Sequence, residues 1–469
     1  MRRRMHASPL ADIFQTIRRE EELPIAFSAA ALGEAENAEP AEVERQDLRH
    51  VPFLTIDPPD AMDLDQAMAL ESLPGGAIRV RYAIADVAAF VAPGEAVDAE
   101  ARQRGTTVYC PDRSIPLHPP ALSEDRASLL PDRERPAVVF EIDVDGEGDV
   151  IRSDVRRALV RSRQRLDYST VQEQFDDGEP PEPIVLLERF GKARIQKSVE
   201  RGAIDLRLPE QEIERRQGRW HVVARHEFPV ERWNAEVSLL TGMVAAELMV
   251  GAGVGILRTL PAATPDAIGM LRGAAKGLGI AWSRDESAAE ILSGLDPARP
   301  RQHALFEHAT RILRGSGYLG FVDGPPVGDY GHAGVAAVYS HVTAPLRRLV
   351  DRFTLAICVA LSAGQPVPEW VLGSIEEVPA IMEATATRAQ RVESRCIDAV
   401  EAWVLRDRID ETFEAVVVSS SKRGAEVWID EPPILTWIDG LNAKAGAVIT
   451  VEVVAADPAK GDVKLEMVA

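Results

Sequence analysis

The chain has 469 residues, of which 46% are hydrophobic, and a formal net charge of −21. This length and hydrophobic content predict two or three domains, one of them large, with a buried core. The acidic charge argues against a general nucleic-acid binder, whose affinity rests on neutralising phosphates. Nucleic-acid binding is compatible with this net charge only if the positive charge is concentrated in a channel. The six arginines between residues 152 and 165 are candidates for such a channel, or alternatively form an ordinary solvated face.

The cysteines indicate a reducing compartment. Cys110, Cys358 and Cys396 are far apart and match neither a zinc nor a disulfide spacing, so we expect buried small hydrophobic side chains. No long apolar run follows the basic N-terminus, as a secretory signal would require. The most apolar segment, residues 241–257, is interrupted by Glu247 and predicts a core helix rather than a membrane span. We therefore expect a soluble, cytoplasmic protein without membrane association.

Residues 1–48 predict a small helical module. Leu10, Phe14 and Ile17 share one helical face, and a second apolar helical segment covers residues 25–32. The acidic stretch 33–44 predicts a loop or a weak helix. Short helices in this arrangement could form a helix-turn-helix unit, but acids outnumber bases here and a DNA-reading role has little support.

Residues 49–408 predict a large region of mixed α/β class, because strand and helix patterns alternate along it. Alternating patterns typical of strands cover residues 79–85 and 138–144. Helical patterns cover residues 231–249, 265–278 and 379–408.

Residues 409–469 change character and predict a small β-barrel. Five short β-rich runs are separated by turn sequences in about sixty residues, which suits a five-stranded OB-fold barrel. The runs are 414–419, 425–429, 434–437, 448–454 and 463–467.

The most informative stretch follows the strand-like run Phe53–Ile56. Two prolines end that run, and carboxylates then recur at Asp57, Asp60, Asp63 and Asp65. Crowded carboxylates raise one another's pKa values, and a divalent cation such as Mg²⁺ relieves that repulsion. A calcium loop would need a following glycine, which is missing here. Spacing alone leaves a metal site and a solvated acidic loop as alternatives.

This stretch and six later blocks resemble the RNB domain of the ribonuclease II and ribonuclease R family. The blocks come in the family's order and cover residues 55–67, 82–87, 98–109, 111–116, 161–168, 201–205 and 339–348. The resemblance implies an RNB-type catalytic domain over residues 49–408 and an OB-fold RNA-binding domain over residues 409–469. It also implies processive 3′→5′ hydrolysis of single-stranded RNA to nucleoside 5′-monophosphates by a monomer, with Mg²⁺ as cofactor and Mn²⁺ as a possible substitute.

The resemblance assigns metal-binding and catalytic roles to particular residues. Asp57, Asp63, Asp65 and Gln66 occupy the metal-binding positions, with Asp60 as an outer member. Asp63, Asp65 and Arg347 are the catalytic candidates, Arg347 because a guanidinium can grip two phosphate oxygens at once. Without the resemblance, a salt bridge at a helix start would be the favoured explanation of the arginine.

Three further residues are assigned to substrate binding. Tyr109 matches the family tyrosine that stacks on a base, and Leu206 stands at the position of its aromatic partner, so the clamp would be one-sided. Arg348 follows the catalytic arginine, and Glu393 falls near the family glutamate beside the product. Without the resemblance, Tyr109 would be interpreted as a half-buried core tyrosine. Glu393 would be interpreted as part of a solvated helix with ion pairs between successive turns.

The sequence departs from the family at Gln66, where the pattern has a fourth aspartate. A glutamine oxygen can ligate a metal but brings no negative charge. Two alternatives to the active exoribonuclease therefore remain. One is a catalytically weakened RNA-binding protein, and the other is a phosphohydrolase acting on small nucleotides, which would not need the C-terminal barrel.

Overall fold

The computed structural model describes residues 9–178, 180–206, 210–216, 219–225, 227–296, 299–310 and 314–468. The fold is of mixed α/β class, as predicted. The helices are α1 Pro9–Glu20, α2 Ala29–Glu36, α3 Ala96–Arg104, α4 Tyr168–Asp176, α5 Glu182–Arg201, α6 Pro229–Ala252, α7 Pro265–Gly277, α8 Ala288–Ser293, α9 Pro300–Thr310, α10 Leu349–Ser362, α11 Glu369–Leu372 and α12 Glu377–Leu405.

The strands fall into two main groups and three two-stranded sheets. The first group comprises β1 Gln46–Asp47, β2 Phe53–Ile56, β3 Gln66–Ser72, β4 Ile78–Ala85, β7 Glu134–Val144 and β8 Val150–Leu166. The two-stranded sheets comprise the hairpins β5 Val108–Cys110 with β6 Arg113–Ile115 and β9 Glu210–Arg216 with β10 Arg219–Arg225, and the more distant pair β11 Gly255–Thr259 with β12 Gly317–Phe321. The second group comprises β13 Thr412–Ser421, β14 Gly424–Ile429, β15 Ile434–Asp439, β16 Val448–Asp457 and β17 Asp462–Met467.

The first group closes into a barrel because the 17-residue strand β8 has two neighbours in succession. Its first part pairs antiparallel with β7, up to Arg161 opposite Glu134. Its last part pairs parallel with β2, from Ser162 opposite Phe53 to Leu166 opposite Ile56. Strands β2, β3, β4 and β7 complete the ring in that order. The aspartate-rich stretch therefore lies between β2 and β3, at one end of this barrel.

Helix α6 runs through the core beside the barrel. Among the described residues it is the one helix long and apolar enough to cross a membrane by length and composition, and 56% of its most apolar window is buried in the protein. It also approaches the chain at residues 339–340 closely: a Cβ on Gly242 would lie 2.2 Å from the ring of Tyr339. The backbone N–H of Ser340 donates to the Gly242 carbonyl oxygen at 3.1 Å, so α6 fixes the segment that leads to Arg347.

The N-terminal helices pack on the catalytic region. Helix α1 buries Leu10, Phe14 and Ile17 in a cluster that also contains residues of α12 and of the β5–β6 and β9–β10 hairpins. Helix α2 lies in a different cluster, with barrel residues and α3. The two helices therefore do not share the core that a helix-turn-helix unit would have. Helix α2 begins at Ala29, so the predicted helical segment starts later and extends into the expected loop.

The C-terminal group forms the predicted five-stranded barrel, with strand order β15-β14-β13-β16-β17. All five β-rich runs are strands, because each alternates and is bounded by turn residues. The barrel packs against α9 and α12. The ring of Trp428 on β14 lies 4.8 Å from the ring of His303 on α9.

A buried glutamate marks the junction between α12, the β9–β10 hairpin and the C-terminal barrel. The side-chain amide of Gln211 donates to Glu401 Oε1 and to the Pro433 carbonyl oxygen, both at 2.8 Å. Burial raises the pKa of Glu401 to about 8, although the Gln211 hydrogen bond opposes the shift. The junction therefore carries a carboxyl group that holds its proton at neutral pH.

A buried ion pair joins α10 to α3. Arg352 Nη1 lies 2.5 Å from Asp98 Oδ1, and the two side chains are 1% and 2% exposed. Asp98 Oδ2 also accepts the Gly94 N–H at 2.8 Å. Because α10 begins directly after Arg348, this pair anchors the helix that carries the arginine segment.

We expect Asp98→Ala to lower the free energy of unfolding by about 3–5 kcal/mol, since it leaves the Arg352 charge buried and unpaired. Chemical denaturation measures the loss. Glu377→Ala is the control, because Glu377 pairs with Arg102 at 2.8 Å but is 57% exposed. Its loss should stay below about 1 kcal/mol. Equal losses in the two variants would contradict the prediction.

We expect Glu401→Gln to remove a pH dependence of stability. Between the ordinary glutamate pKa of 4.5 and about 8, folded Glu401 holds a proton that the unfolded chain has released. The free energy of unfolding of the wild type should therefore fall relative to the variant as pH rises through this window. Urea denaturation of both proteins at several pH values measures the difference, and parallel curves would refute the prediction.

Candidate active site

Hydrogen bonds with the end of β8 hold the main chain of the turn after β2. The N–H of Asp57 donates to the Leu166 carbonyl oxygen at 3.1 Å. The guanidinium of Arg165 donates to the carbonyl oxygens of Pro58 and Pro59. Arg165 belongs to the arginine run considered as a nucleic-acid channel, but here its side chain braces the turn.

The second half of the turn is fastened to the protein interior by Ser128. Its hydroxyl accepts the Leu64 N–H at 3.0 Å and donates to the Met62 carbonyl oxygen at 2.6 Å. The Leu64 side chain is fully buried, and the Leu64 carbonyl oxygen accepts the Leu129 N–H at 3.0 Å. Leu64 is thus an anchor that fixes Asp63 and Asp65 on either side of it.

Asp65 links the aspartate turn to the arginine segment, 281 residues away. Its Oδ1 accepts the Leu346 N–H at 2.7 Å, and its Oδ2 lies 3.4 Å from Arg347 Nε. Asp65 is only 4% exposed. Burial raises the pKa of Asp65 to about 8, against the opposing effect of Arg347. The carboxylate therefore lacks enough positive charge nearby to ionise readily.

The two adjacent arginines have different environments. The Arg347 side chain is 45% exposed and lines the same cavity as Asp65. The Arg348 guanidinium instead donates to both carboxylate oxygens of Asp351, at 2.8 and 3.0 Å, and does not line this cavity. Asp351 also accepts the Ala344 N–H at 2.6 Å. Arg348 thus stabilises the loop, and the loop places the Arg347 side chain at the cavity.

The side-chain amide of Gln66 is bonded at both ends within the protein. Its Nε2 donates to the Thr343 carbonyl oxygen at 2.5 Å, and its Oε1 accepts the Tyr82 hydroxyl at 2.9 Å. An aspartate here could not donate to Thr343. An amide carbonyl oxygen has two lone pairs, so one remains for a cation or a water.

A cavity of about 950 Å³ at the end of the first barrel is lined by Asp57, Asp63, Asp65, Gln66 and Arg347. Seven lining residues are acidic and two are arginines. The acidic residues are Asp57, Asp60, Asp63, Asp65, Glu124, Glu227 and Glu231, and the arginines are Arg225 and Arg347.

The aspartates fit a hard cation by their chemistry. Burial raises the pKa of Asp57 to about 6 and also raises the pKa of Asp63. Asp57 Oδ2 is buried, and no described residue donates to it a hydrogen bond of ordinary geometry. No three His, Cys, Asp or Glu side chains among the described residues are already in metal-binding geometry. The donor set is present, and a cation would draw the carboxylates together.

The substrate-binding candidates are placed differently from one another. Tyr109 is 56% exposed and lines the cavity next to Ser114, its cross-strand neighbour. Leu206 lines a smaller adjoining cavity of about 290 Å³. Glu393 lies on the exposed face of α12 and is not among the residues lining the main cavity.

The sequence reasoning missed the part of the cavity that α6 contributes. Glu231, Asn234 and Ser238 line it from one face of this helix. Asn234 Nδ2 donates to the Tyr168 hydroxyl at 2.9 Å, and the hydroxyls of Ser238 and Thr343 lie 2.8 Å apart. The sequence did contain a signal for this face, because these polar residues recur at intervals of three and four along an otherwise apolar helix.

Comparison with known sequences identifies two family regions. Residues 45–361 match the RNB domain, and residues 411–468 match the RNase II-type exonuclease C-terminal S1 domain. The exosome complex exonuclease RRP44 homolog A of Arabidopsis thaliana is 31% identical over 67% of this chain and 35% of its own length. Ribonuclease R of Thermotoga maritima is 29% identical over 88% of this chain and 61% of its own length. The chain thus spans between about a third and three-fifths of these relatives.

Solved structures share the fold. RNase R of Mycoplasma genitalium in complex with ribose-methylated single-stranded RNA has a TM-score of 0.87 at 18% identity, covering 98% of this chain and 78% of that one. Proteins described as inactive also match. The inactive exonuclease DIS3L2 of Arabidopsis thaliana is 47% identical over 28% of this chain and 12% of its own length. Yeast Ssd1, a pseudonuclease, has a TM-score of 0.75 at 14% identity, covering 95% of this chain and 58% of that one.

We expect Ser128→Ala to destabilise the protein by about 1–3 kcal/mol, because the buried Leu64 N–H loses its acceptor. Thermal and urea denaturation measure the change. Ser114→Ala is the control, since Ser114 is exposed at the cavity wall, and its effect should stay within about 0.5 kcal/mol. A neutral Ser128→Ala variant would show that the turn is held by other contacts.

Proposed function

Because this chain belongs to the RNB family, we propose that it is a divalent-metal-dependent exoribonuclease. It degrades single-stranded RNA processively from the 3′ end and releases nucleoside 5′-monophosphates. The observation that carries the proposal is the contact between two distant segments. Asp65 and Arg347 lie 3.4 Å apart in a cavity large enough for nucleotides.

The chain's own residues divide the work of phosphodiester cleavage. Arg347 is half exposed, so its guanidinium would reach the non-bridging oxygens of the scissile phosphate, where charge accumulates in the transition state. Asp57, Asp63 and Asp65 would hold Mg²⁺, with the Gln66 oxygen as a further donor. The bound metal would activate the attacking water and neutralise phosphate charge. Main-chain contacts of the turn keep these groups in place before substrate arrives.

Single-stranded RNA suits the cavity because its bases are accessible for stacking. Tyr109 presents an exposed ring at the cavity wall, and base stacking is tolerant of sequence. The C-terminal barrel belongs to the S1 class of nucleic-acid-binding modules and would add a second contact to a long strand. A phosphohydrolase for small nucleotides would gain nothing from that barrel.

The alternative is an RNA-binding protein whose nuclease activity is weakened by Gln66. Two observations favour it: relatives described as inactive share the fold, and the Gln66 amide is engaged by Tyr82 and Thr343. Against it, the three remaining aspartates and Arg347 all line the cavity. We therefore retain the active enzyme as the proposed function.

We expect Asp65→Asn to lower turnover at least about 100-fold, since it removes a carboxylate that would help to hold Mg²⁺ at the reacting phosphate. A 5′-labelled single strand of about thirty nucleotides exceeds one binding site and is followed over time with Mg²⁺ and with EDTA. Progressive shortening with mononucleotide release, lost in EDTA, establishes the exonuclease and its direction. Asp12→Asn, at an exposed position of α1, is the control. Bound but intact RNA with the wild type would reject the enzyme.

We expect Gln66→Asp to change turnover less than about tenfold, because the amide already satisfies both of its neighbours and a carboxylate could not donate to the Thr343 carbonyl oxygen. The same time course, with Mg²⁺ titrated, measures turnover and metal affinity separately. An inert wild type together with an active Gln66→Asp variant would instead support the weakened RNA-binding protein.

A further inference from the structure

Two cysteines that are far apart in the sequence meet behind the cavity wall. Cys110 ends strand β5, and Cys396 lies on α12, which packs against that strand. Cys396 belongs to a hydrophobic cluster against which Cys110 packs, so the two side chains lie on facing sides of the contact between α12 and β5. The sequence spacing matched no disulfide and predicted buried small hydrophobic side chains, but the fold brings these two cysteines together.

The environment of the pair distinguishes the two sulfurs. Cys110 is half-buried, whereas Cys396 is 2% exposed. The Arg18 guanidinium forms a bidentate pair with Asp112, two residues after Cys110. The hydrogen bond from the Cys396 thiol, with further help from Arg18, lowers the pKa of Cys110 although burial opposes it. Cys110 is therefore the accessible nucleophile, and Cys396 is the shielded neighbour.

The third cysteine provides an internal contrast. Cys358 is fully buried in α10, and burial raises the pKa of Cys358 to about 12. It has the properties of a structural thiol. Any oxidation chemistry that depends on a neighbouring thiol and an adjacent cation should therefore spare it.

We propose that Cys110 and Cys396 form a hydroperoxide-sensitive thiol pair that closes reversibly to a disulfide. The Cys110 thiolate attacks one oxygen of hydrogen peroxide, the O–O bond breaks, and the hydroxide released takes up the thiol proton to form water. The Cys396 thiol then attacks the Cys110 sulfenic sulfur, the S–O bond breaks, and a second water leaves with the Cys396 proton. Two thiols are oxidised and one peroxide is reduced to two waters.

Closure of the disulfide would act on the cavity through strand β5. Successive strand residues point to opposite faces, so Tyr109 faces the cavity while Cys110 faces α12. A disulfide holds the two sulfurs at about 2.05 Å, closer than a thiol–thiol contact, and would draw β5 toward α12. This step rests on the proposed function, since it concerns RNA held by Tyr109.

The thiol pair itself is tested without RNA. The full-length protein is treated with graded hydrogen peroxide, alkylated and mapped by peptide mass spectrometry, with and without later dithiothreitol. The expected result is a linked Cys110–Cys396 peptide that dithiothreitol resolves, with Cys358 alkylated throughout. Cys110→Ser and Cys396→Ala should abolish the link, and Cys358→Ala should retain it. Free thiols at both positions, or Cys110 oxidised to sulfinic acid without a link, would overturn the proposal. The wild-type map decides even where a variant fails to fold.

The effect on the cavity is measured by RNA binding under the same oxidation. We expect the Kd for a labelled single strand to rise about fivefold or more on oxidation, the loss of one weakened base stack, and to recover with dithiothreitol. Cys110→Ser should not respond, whereas Cys358→Ala should respond as the wild type does. An unchanged Kd with the disulfide formed would refute the coupling to Tyr109. A protein that binds no RNA in either state would refute the proposed function and leave the mapped disulfide standing.

Discussion

The arrangement of the site depends on the burial of one carboxylate, Asp65, between two segments of chain that are remote in sequence. Its oxygens accept the Leu346 N–H and lie beside Arg347, while its own carbonyl oxygen accepts the Ala85 N–H at 2.9 Å. The same residue thus joins the aspartate turn, strand β4 and the arginine segment. Burial makes its negative charge costly, as the raised pKa of Asp65 shows. A cation held here, as proposed, would offset that cost, so the burial that joins the segments would also favour the proposed metal.

The local elements could be predicted because their signals are local. Strands β4 and β7, helices α6 and α7, and all five strands of the C-terminal barrel follow from period and turn residues. The closure of the first barrel could not be predicted. It depends on β8 pairing with β7 up to Arg161 and with β2 from the next residue onward. No periodicity encodes such a change of neighbour. The packing of α1 on α12 and of α2 on α3 is likewise a tertiary outcome.

The candidate site shows the same division between local and long-range information. The aspartates and Arg347 were recognisable as motif residues, and they do line one cavity. The difference between Arg347 and Arg348 was not recognisable, because it depends on Asp351 capturing only the second guanidinium. The Gln66 substitution looked from the sequence like a lost charge. The structure shows that the amide also bridges Tyr82 and Thr343, residues 16 and 277 positions away.

The charge of the molecule has a physical consequence for any RNA that enters. The arginines of β8 were the candidates for a positive channel, but several are committed to acids: Arg157 pairs with Asp86 at 3.1 Å, and Arg156 with Glu141 at 3.2 Å. The cavity itself carries more carboxylates than guanidinium groups. Phosphates could not approach this surface against such a field without added positive charge. Bound divalent cations would therefore serve substrate entry as well as cleavage, and stacking on Tyr109 would supply attraction that does not depend on charge.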